Sequence, residues 1–194
     1  CKENGGSVVS INPLEETAMK RFKHPQNPLH LIGRGVQIAD EHLPVRIGGD
    51  AALLQGFAKT ILSQGGADLD FISANTLGFE DWKKHIESTD WEKIVEQSGI
   101  SRDRIENTGN AIAKSERMIV CWAMGLTQHE NSVAVIQEVS NLLLAGGHFG
   151  KPGAGACPVR GHSNVQGDRT VGVNHHPTED FISSCESQTG INMP

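Results

Sequence analysis

Between Gly150 and Gly172 the sequence sets Arg160, His162, Asn164 and Gln166 among closely spaced glycines. Glycine lets backbone come close to a bound molecule, and these four side chains carry planar, directional hydrogen-bonding groups. Arg160 is the sharpest of them. Its guanidinium can clamp a carboxylate or other oxyanion in two parallel hydrogen bonds, against the ordinary fate of an arginine, a surface ion pair. The stretch has neither the Walker spacing nor a G-x-G-x-x-G after a strand, so it does not point to ATP or NAD. Cys157 stands near its centre, where a cysteine without an identified base reads first as a small packing residue. His175 and His176 are neighbours in sequence, so their side chains are expected to point apart into solvent. No further ligand stands at a useful spacing for a metal.

Three other segments share a different pattern: Asn12-Pro13 after an apolar run, Gly48-Gly49-Asp50 before a helical pattern, and Met124-Gly125-Leu126-Thr127-Gln128 between a run and a helix. In open α/β sheets, ligands bind beyond the carboxyl ends of strands, where loop and helix-start amides are free to receive phosphate. An aspartate there repels phosphate but accepts hydrogen bonds from a base or a ribose. Taken singly, Asp50 reads as a helix cap and Asn12 as a turn former. Together the three segments suggest a nucleotide site.

The elements that must position these residues follow from periodicity. Ser7 to Ile11 is a β-branched run ending at a turn and reads as a buried strand; Leu29 to Ile32 is a second short strand or an extended loop. Leu54, Phe57, Ala58, Ile61 and Leu62 share one face of a helix over residues 51–62, with Asp50 as N-cap and Gly65 or Gly66 as C-cap. Helical patches follow at Glu80 to Ile86, Trp91 to Gln97 and Ser101 to Lys114. The last two superficially resemble a DNA-reading helix pair, but Asp103 and Glu106 beside Arg102 and Arg104 favour a packing hairpin. Met118 to Met124 reads as a fully buried strand, and Glu130 to Ala145 as a helix with Val135, Ile136, Val139, Leu142 and Leu143 inward. The tail from Asn174 is polar.

Composition excludes several classes. A net charge of −6 with no basic run offers no stripe to neutralise a nucleic-acid backbone. The longest apolar run is far short of the roughly 20 residues that span a bilayer. Cys1, Cys121, Cys157 and Cys185 stand far apart without a C-x-x-C pair, so no iron–sulfur or structural zinc site is encoded locally, and free thiols suggest a reducing, cytoplasmic setting.

Trp122 to Gln128, Gly150-Lys-Pro-Gly-Ala-Gly155 and Pro158-Val-Arg-Gly-His-Ser-Asn-Val-Gln-Gly167 together closely resemble the molybdopterin oxidoreductase superfamily, formate dehydrogenase alpha-subunit type. Ile11-Asn-Pro13 resembles the strand end where such enzymes hold one guanosine, and Gly48 to Leu53 their second nucleotide-contacting helix start. The resemblance implies an α/β fold with a Rossmann-like parallel sheet and flanking helices, and a bis(molybdopterin guanine dinucleotide) cofactor carrying molybdenum or tungsten. Carried over residue by residue, it places Asn12, Asp50, Met124, Gly125, Gln128, Gly161 and His162 at the pterin dinucleotides and Arg160 at the substrate. No residue of this chain matches the family's metal ligand, and the 4Fe–4S cluster segment belongs to a part not among these residues. The chain is therefore expected to be an internal piece, inactive alone, with residues 1–173 a partial cofactor-binding domain and 174–194 a connecting segment.

The expected activity of the whole is two-electron oxidation of formate or a similar small oxyanion-bearing substrate, with electrons passed to an acceptor protein or subunit. Two alternatives stand beside it: reduction of an oxyanion or an S- or N-oxide on the same scaffold, and a non-catalytic nucleotide-binding module. Two residues depart from the best-known formate dehydrogenases. His162 replaces the glutamine after Arg-Gly, and Cys157 replaces a polar residue.

Overall fold

A computed structural model describes residues 2–26 and 33–193, so Cys1 and the strand or loop expected at Leu29 to Ile32 lie outside the described residues. Two compact units divide the chain, Cys1–Cys157 and Pro158–Pro194.

The first unit opens with β1 (Val9–Ile11), a short helical turn α1 (Thr17–Lys20), β2 (Arg21–Phe22), β3 (Val36–Gln37) and β4 (Glu41–Leu43). β1 and β4 pair in parallel, Ser10 opposite His42, while β2 and β3 form a small antiparallel pair. The run at Ser7 to Ile11 is thus a strand, as its β-branched residues predict, but not a buried one. Val9 and Ile11 are 37% and 40% exposed and Ser10 is the buried residue. The cause is the width of the sheet: a two-stranded pair packs one face on the body and leaves the other uncovered among the described residues.

Helix α2 (Asp50–Ser63) is the centre of the unit. The predicted stripe of Leu54, Phe57, Ala58 and Ile61 is buried, but so are Ala52, Leu53 and Thr60, because helices cover α2 on several sides. Its ends fall one residue from expectation. Gly49 is the N-cap, Asp50 the first helical residue, and Gln64 the C-cap, with Gly65 next at φ 65°.

The covering helices are α3 (Leu69–Asn75), α4 (Phe79–Ser88), α5 (Trp91–Ser98) and α6 (Arg102–Ala113). The first was not legible from periodicity; Asp68 caps it by accepting the Phe71 N–H at 2.9 Å. Ile94, Ile100 and Ile105 are buried against α2, so α5 and α6 are the packing hairpin their mixed charges suggest.

Two crossings set how close α6 and α2 approach. A Cβ on Gly56 would lie 2.7 Å from Ile105 Cγ2 and 3.0 Å from Ile94 Cγ2, and one on Gly109 would lie 2.6 Å from Thr60 Cβ. These neighbours are branched at Cβ and buried, so they cannot swing aside.

The chain then forms β5 (Ile119–Trp122), α7 (Met124–Thr127), α8 (Ser132–Ala145) and β6 (Gly155–Pro158), with β6 beside β5. Val135, Val139, Leu142 and Leu143 are buried as expected, and Ile136 is half-buried. β5 is not the fully buried strand its composition suggests: Ile119 is 54% exposed, again because this sheet has two strands. Glu138 of α8 accepts from Trp82 Nε1 at 3.1 Å and Gln55 Nε2 at 3.4 Å, tying α8 to α4 and α2. Arg104 of α6 donates to the Glu41 carboxylate and the His42 carbonyl, fastening α6 to β4. The α/β reading with parallel strands and flanking helices therefore holds.

In the second unit, the expected loop and polar tail contain two helices, α9 (Val165–Thr170) and α10 (Glu179–Thr189), the latter capped by Thr178 accepting the Phe181 N–H. Among the described residues no helix is long and apolar enough to cross a membrane.

His148, just after α8, is 1% exposed, and its Nδ1 has no hydrogen-bond partner. Burial, and then the charge of Lys151, hold its pKa below the usual histidine value, against Asp68 and the Glu116 backbone. The unfolded chain therefore binds more protons than the folded one below about pH 6.5, and stability is lost as pH falls through the folded pKa. Urea unfolding from pH 8 to pH 5 should show that loss, and His148→Asn should flatten it; an equal acid loss in the variant would assign it elsewhere. For the helix crossing, Gly109→Ala should destabilise the chain by about 1–3 kcal/mol despite its better helix propensity, because the added methyl meets Thr60. A midpoint unchanged or raised in the same unfolding experiment would contradict the close approach.

Candidate functional site

Asn12 and Met124 stand just beyond the ends of β1 and β5, and Gly48 to Asp50 closes the connection from β4 into α2, before a helix as expected. β1 runs into Asn12, whose N–H donates to the Leu43 carbonyl at 3.2 Å and whose Oδ1 accepts the Leu14 N–H at 3.1 Å. Its side chain is therefore occupied in shaping the turn. β4, its parallel partner, leads through Pro44 to Gly49 into α2. That connection is pinned from behind by Arg46, whose N–H donates to Ser98 O at 2.9 Å and whose guanidinium donates to Glu96 O at 2.6 Å, at the carboxyl end of α5. Gly49 is held there too, since a Cβ would stand 2.5 Å from Gln97 O. In this loop, Gly49 serves the packing that aims α2.

Asp50 follows, half-buried in the first turn of α2. Burial pushes its carboxyl above the usual carboxylate range; a hydrogen bond from its own backbone N–H and the neighbouring His129 act in the opposite direction. Asp50 is thus the acidic residue of the first turn rather than the N-cap residue itself, which is Gly49. His129, which sequence reasoning passed over, follows directly on Gln128 at the end of the third segment. The charge of His129 reaches the Asp50 carboxyl, so the start of α2 lies in the neighbourhood of the turn between α7 and α8. The only sequence signal for His129 was its position beside Gln128.

At that segment β5 ends and Ala123, with φ −133° and ψ −144°, turns the chain into α7. The first-turn amides of Met124 and Gly125 have no acceptor within so short a helix. Met124 is 57% exposed, and Gln128 Nε2 donates weakly to its sulfur at 3.6 Å, leaving the Gln128 amide oxygen open. A Cβ on Gly125 would meet nothing within 4 Å. Free amides, an amide oxygen and a half-buried carboxyl suit an uncharged, hydrogen-bonding ring system or a sugar. Among the described residues no three His, Cys, Asp or Glu side chains converge to hold a metal ion.

Arg160, Gly161 and His162 belong to the second unit, and all three are exposed. Among the described residues Arg160 makes no hydrogen bond and no ion pair. Nothing lies within 4 Å of a Cβ built on Gly161. Asn164, at φ 53°, is the one described non-glycine residue in the left-handed region and turns the loop into α9. The rings of His175 and His176 do not point apart as expected; their centroids are 4.5 Å apart, and both residues are exposed.

A shallow cavity of about 290 Å³, lined by Ser10, Glu15, Arg21, Gln37 and His42 among others, includes none of the site residues expected from sequence. His42 Nδ1, buried and unpartnered, belongs to its wall.

Comparison with known proteins matches residues 8–192 to the molybdopterin oxidoreductase family. Protein YdeP of Escherichia coli K12 is 39% identical over 203 residues, which cover 99% of this chain and 27% of that protein. Formate dehydrogenase H of the same organism is 32% identical over 174 residues, 89% of this chain and 22% of that protein. Among solved structures, acetylene hydratase from Pelobacter acetylenicus superposes with a TM-score of 0.62 at 22% identity, over 78% of this chain and 19% of that one, and supports the fold alone. The chain thus spans about a quarter of the length of these curated relatives. With strand-end junctions and glycine-dense loop matched in one continuous span, the chain belongs to the molybdopterin oxidoreductase family.

Proposed function

We propose that this chain supplies part of the pterin-dinucleotide binding surface of a molybdenum or tungsten oxidoreductase, and the arginine that holds its substrate. Chief support is the half-buried Asp50 carboxyl at the start of α2, within reach of the charge of His129, together with the open space beside Gly125 at the start of α7. This donor set fits the organic part of a bis(molybdopterin guanine dinucleotide). Asp50 accepts from a guanine or ribose, the Met124 and Gly125 amides donate to pterin or phosphate oxygens, and the Gln128 amide oxygen accepts from a ring N–H. Asn12 contributes by shaping the strand-end turn, and Gly161 and His162 by backbone approach and a ring nitrogen. When bound, the metal-bearing cofactor supplies the two-electron redox chemistry. This chain's residues bind and orient; the metal ligand and a 4Fe–4S cluster belong to the remainder of the protein, which passes electrons to an acceptor protein.

Arg160 is the substrate-side residue on this reading. An exposed guanidinium with no ion-pair partner among the described residues can take a carboxylate in bidentate fashion, which fits formate, the substrate for which formate dehydrogenase H is named. His162 favours a second reading, reduction of an oxyanion or an S- or N-oxide, because an imidazole able to hydrogen-bond the substrate oxygen stands two residues from the clamp.

In the full-length enzyme, Gly125→Val should leave the fold intact, since the space beside it is open, yet lower retained pterin cofactor severely. Asp50→Asn should also lower it, and should keep or slightly raise stability at neutral pH. A carboxyl whose folded pKa is raised opposes folding above its unfolded pKa, and the amide removes that term. Cofactor content and thermal midpoint measured together check both variants; full retention in each would make these segments mere caps and turns.

Arg160→Lys should keep cofactor and fold while losing turnover with formate by at least about tenfold, because the charge remains but the two-point alignment does not. Steady-state kcat and KM decide it. Unchanged kinetics would remove Arg160 from the substrate site, and loss of cofactor would move it to the pterin.

A further inference from the structure

Two cysteines stand side by side on the β5–β6 pair. The Gly155 N–H donates to the Met118 carbonyl at 2.9 Å, just ahead of β5, and further along the same pair the Cys121 and Cys157 thiols interact. Because both contacts advance together along the two chains, the strands run in the same direction and the cysteines face each other across them. Neighbouring strands lie about 4.8 Å apart, within the roughly 4.4–6.8 Å Cα separation that a disulfide spans. Both thiols are free and exposed. Partial burial, and then the contact with Cys157, hold the Cys121 thiol above its usual range. Neither sulfur has a part in the cofactor or substrate roles assigned above.

We propose that Cys121 and Cys157 form a reversible dithiol–disulfide site that takes a small organic disulfide as its oxidant. The Cys157 thiolate attacks one sulfur of the disulfide, forming a mixed disulfide and releasing one thiol. Cys121 then gives up its proton to water and displaces the second thiol, closing the Cys121–Cys157 bond. Two protein thiols lose two electrons, and the small disulfide gains them as two thiols. The first attack is assigned to Cys157 because partial burial disfavours the thiolate of Cys121. Cys121 lies three residues before Met124 and Cys157 three before Arg160. The bond would therefore tether the strand that leads to the proposed pterin junction to the strand that leads to the arginine loop. The thiol chemistry itself does not depend on the function proposed for either.

The test uses the full-length protein treated with glutathione disulfide, quenched with an alkylating agent, digested and read by mass spectrometry. Expected is a cross-linked peptide joining Cys121 to Cys157 in most molecules, lighter by two hydrogens and restored by dithiothreitol, with Cys185 as an internal comparison. Cys121→Ser should instead accumulate glutathione on Cys157. Wild-type protein alkylated at both positions, or holding stable glutathione on either, would overturn the proposal, as would a cross-link from either cysteine to Cys185.

Discussion

Almost everything in the first unit depends on how closely helices can approach α2. Gly56 and Gly109 remove the side chains that would hold α6 away, and Thr60, Ile94 and Ile105 fill the space left. With α4, α5, α6 and α8 all packed against it, α2 has nowhere to shift. Its amino end is fixed from behind as well, by Arg46 bonded to the carboxyl end of α5 and by Gly49 lying against Gln97. The position of Asp50 is thus a product of core packing several residues away. A site group held by a rigid element keeps its geometry better than one carried on a loop.

The same packing explains why His129 lies near Asp50. Helix α8 shares the core face of α2 and is tied to it by Glu138, which accepts from Gln55 and Trp82. Helix α7 immediately precedes α8, so fixing α8 against α2 holds the turn at His129 near enough to Asp50 for its charge to act on the carboxyl. Burial then acts on the carboxyl's chemistry, raising its pKa and favouring hydrogen bonding over a bare charge.

Much of this was legible in the sequence, for identifiable reasons. The stripe in α2 and the inward residues of α8 follow helical periodicity, which survives whatever the tertiary setting. The strand-end segments were legible because β-branched runs stop at turn formers. Exposure of Val9, Ile11 and Ile119 was not, because composition reports the preference for a strand but not how many strands share its sheet. Helix α3 escaped because seven residues carry too little period, and α9 because a glycine-dense stretch reads as loop. The pairing of His175 with His176 and of Cys121 with Cys157 depends on backbone path, which spacing along the chain does not encode. His129 was missed for the same reason, its partner Asp50 lying 79 positions earlier.

The central claim is that the α2 start and the β5–α7 junction form one ligand-binding surface. Amide hydrogen exchange in the full-length protein, with and without its pterin cofactor, tests it most directly. The account predicts that amides at residues 50–51 and 124–126 slow together when the cofactor is present, while those of buried α6 do not change. Equal exchange at both segments in the two forms would contradict it.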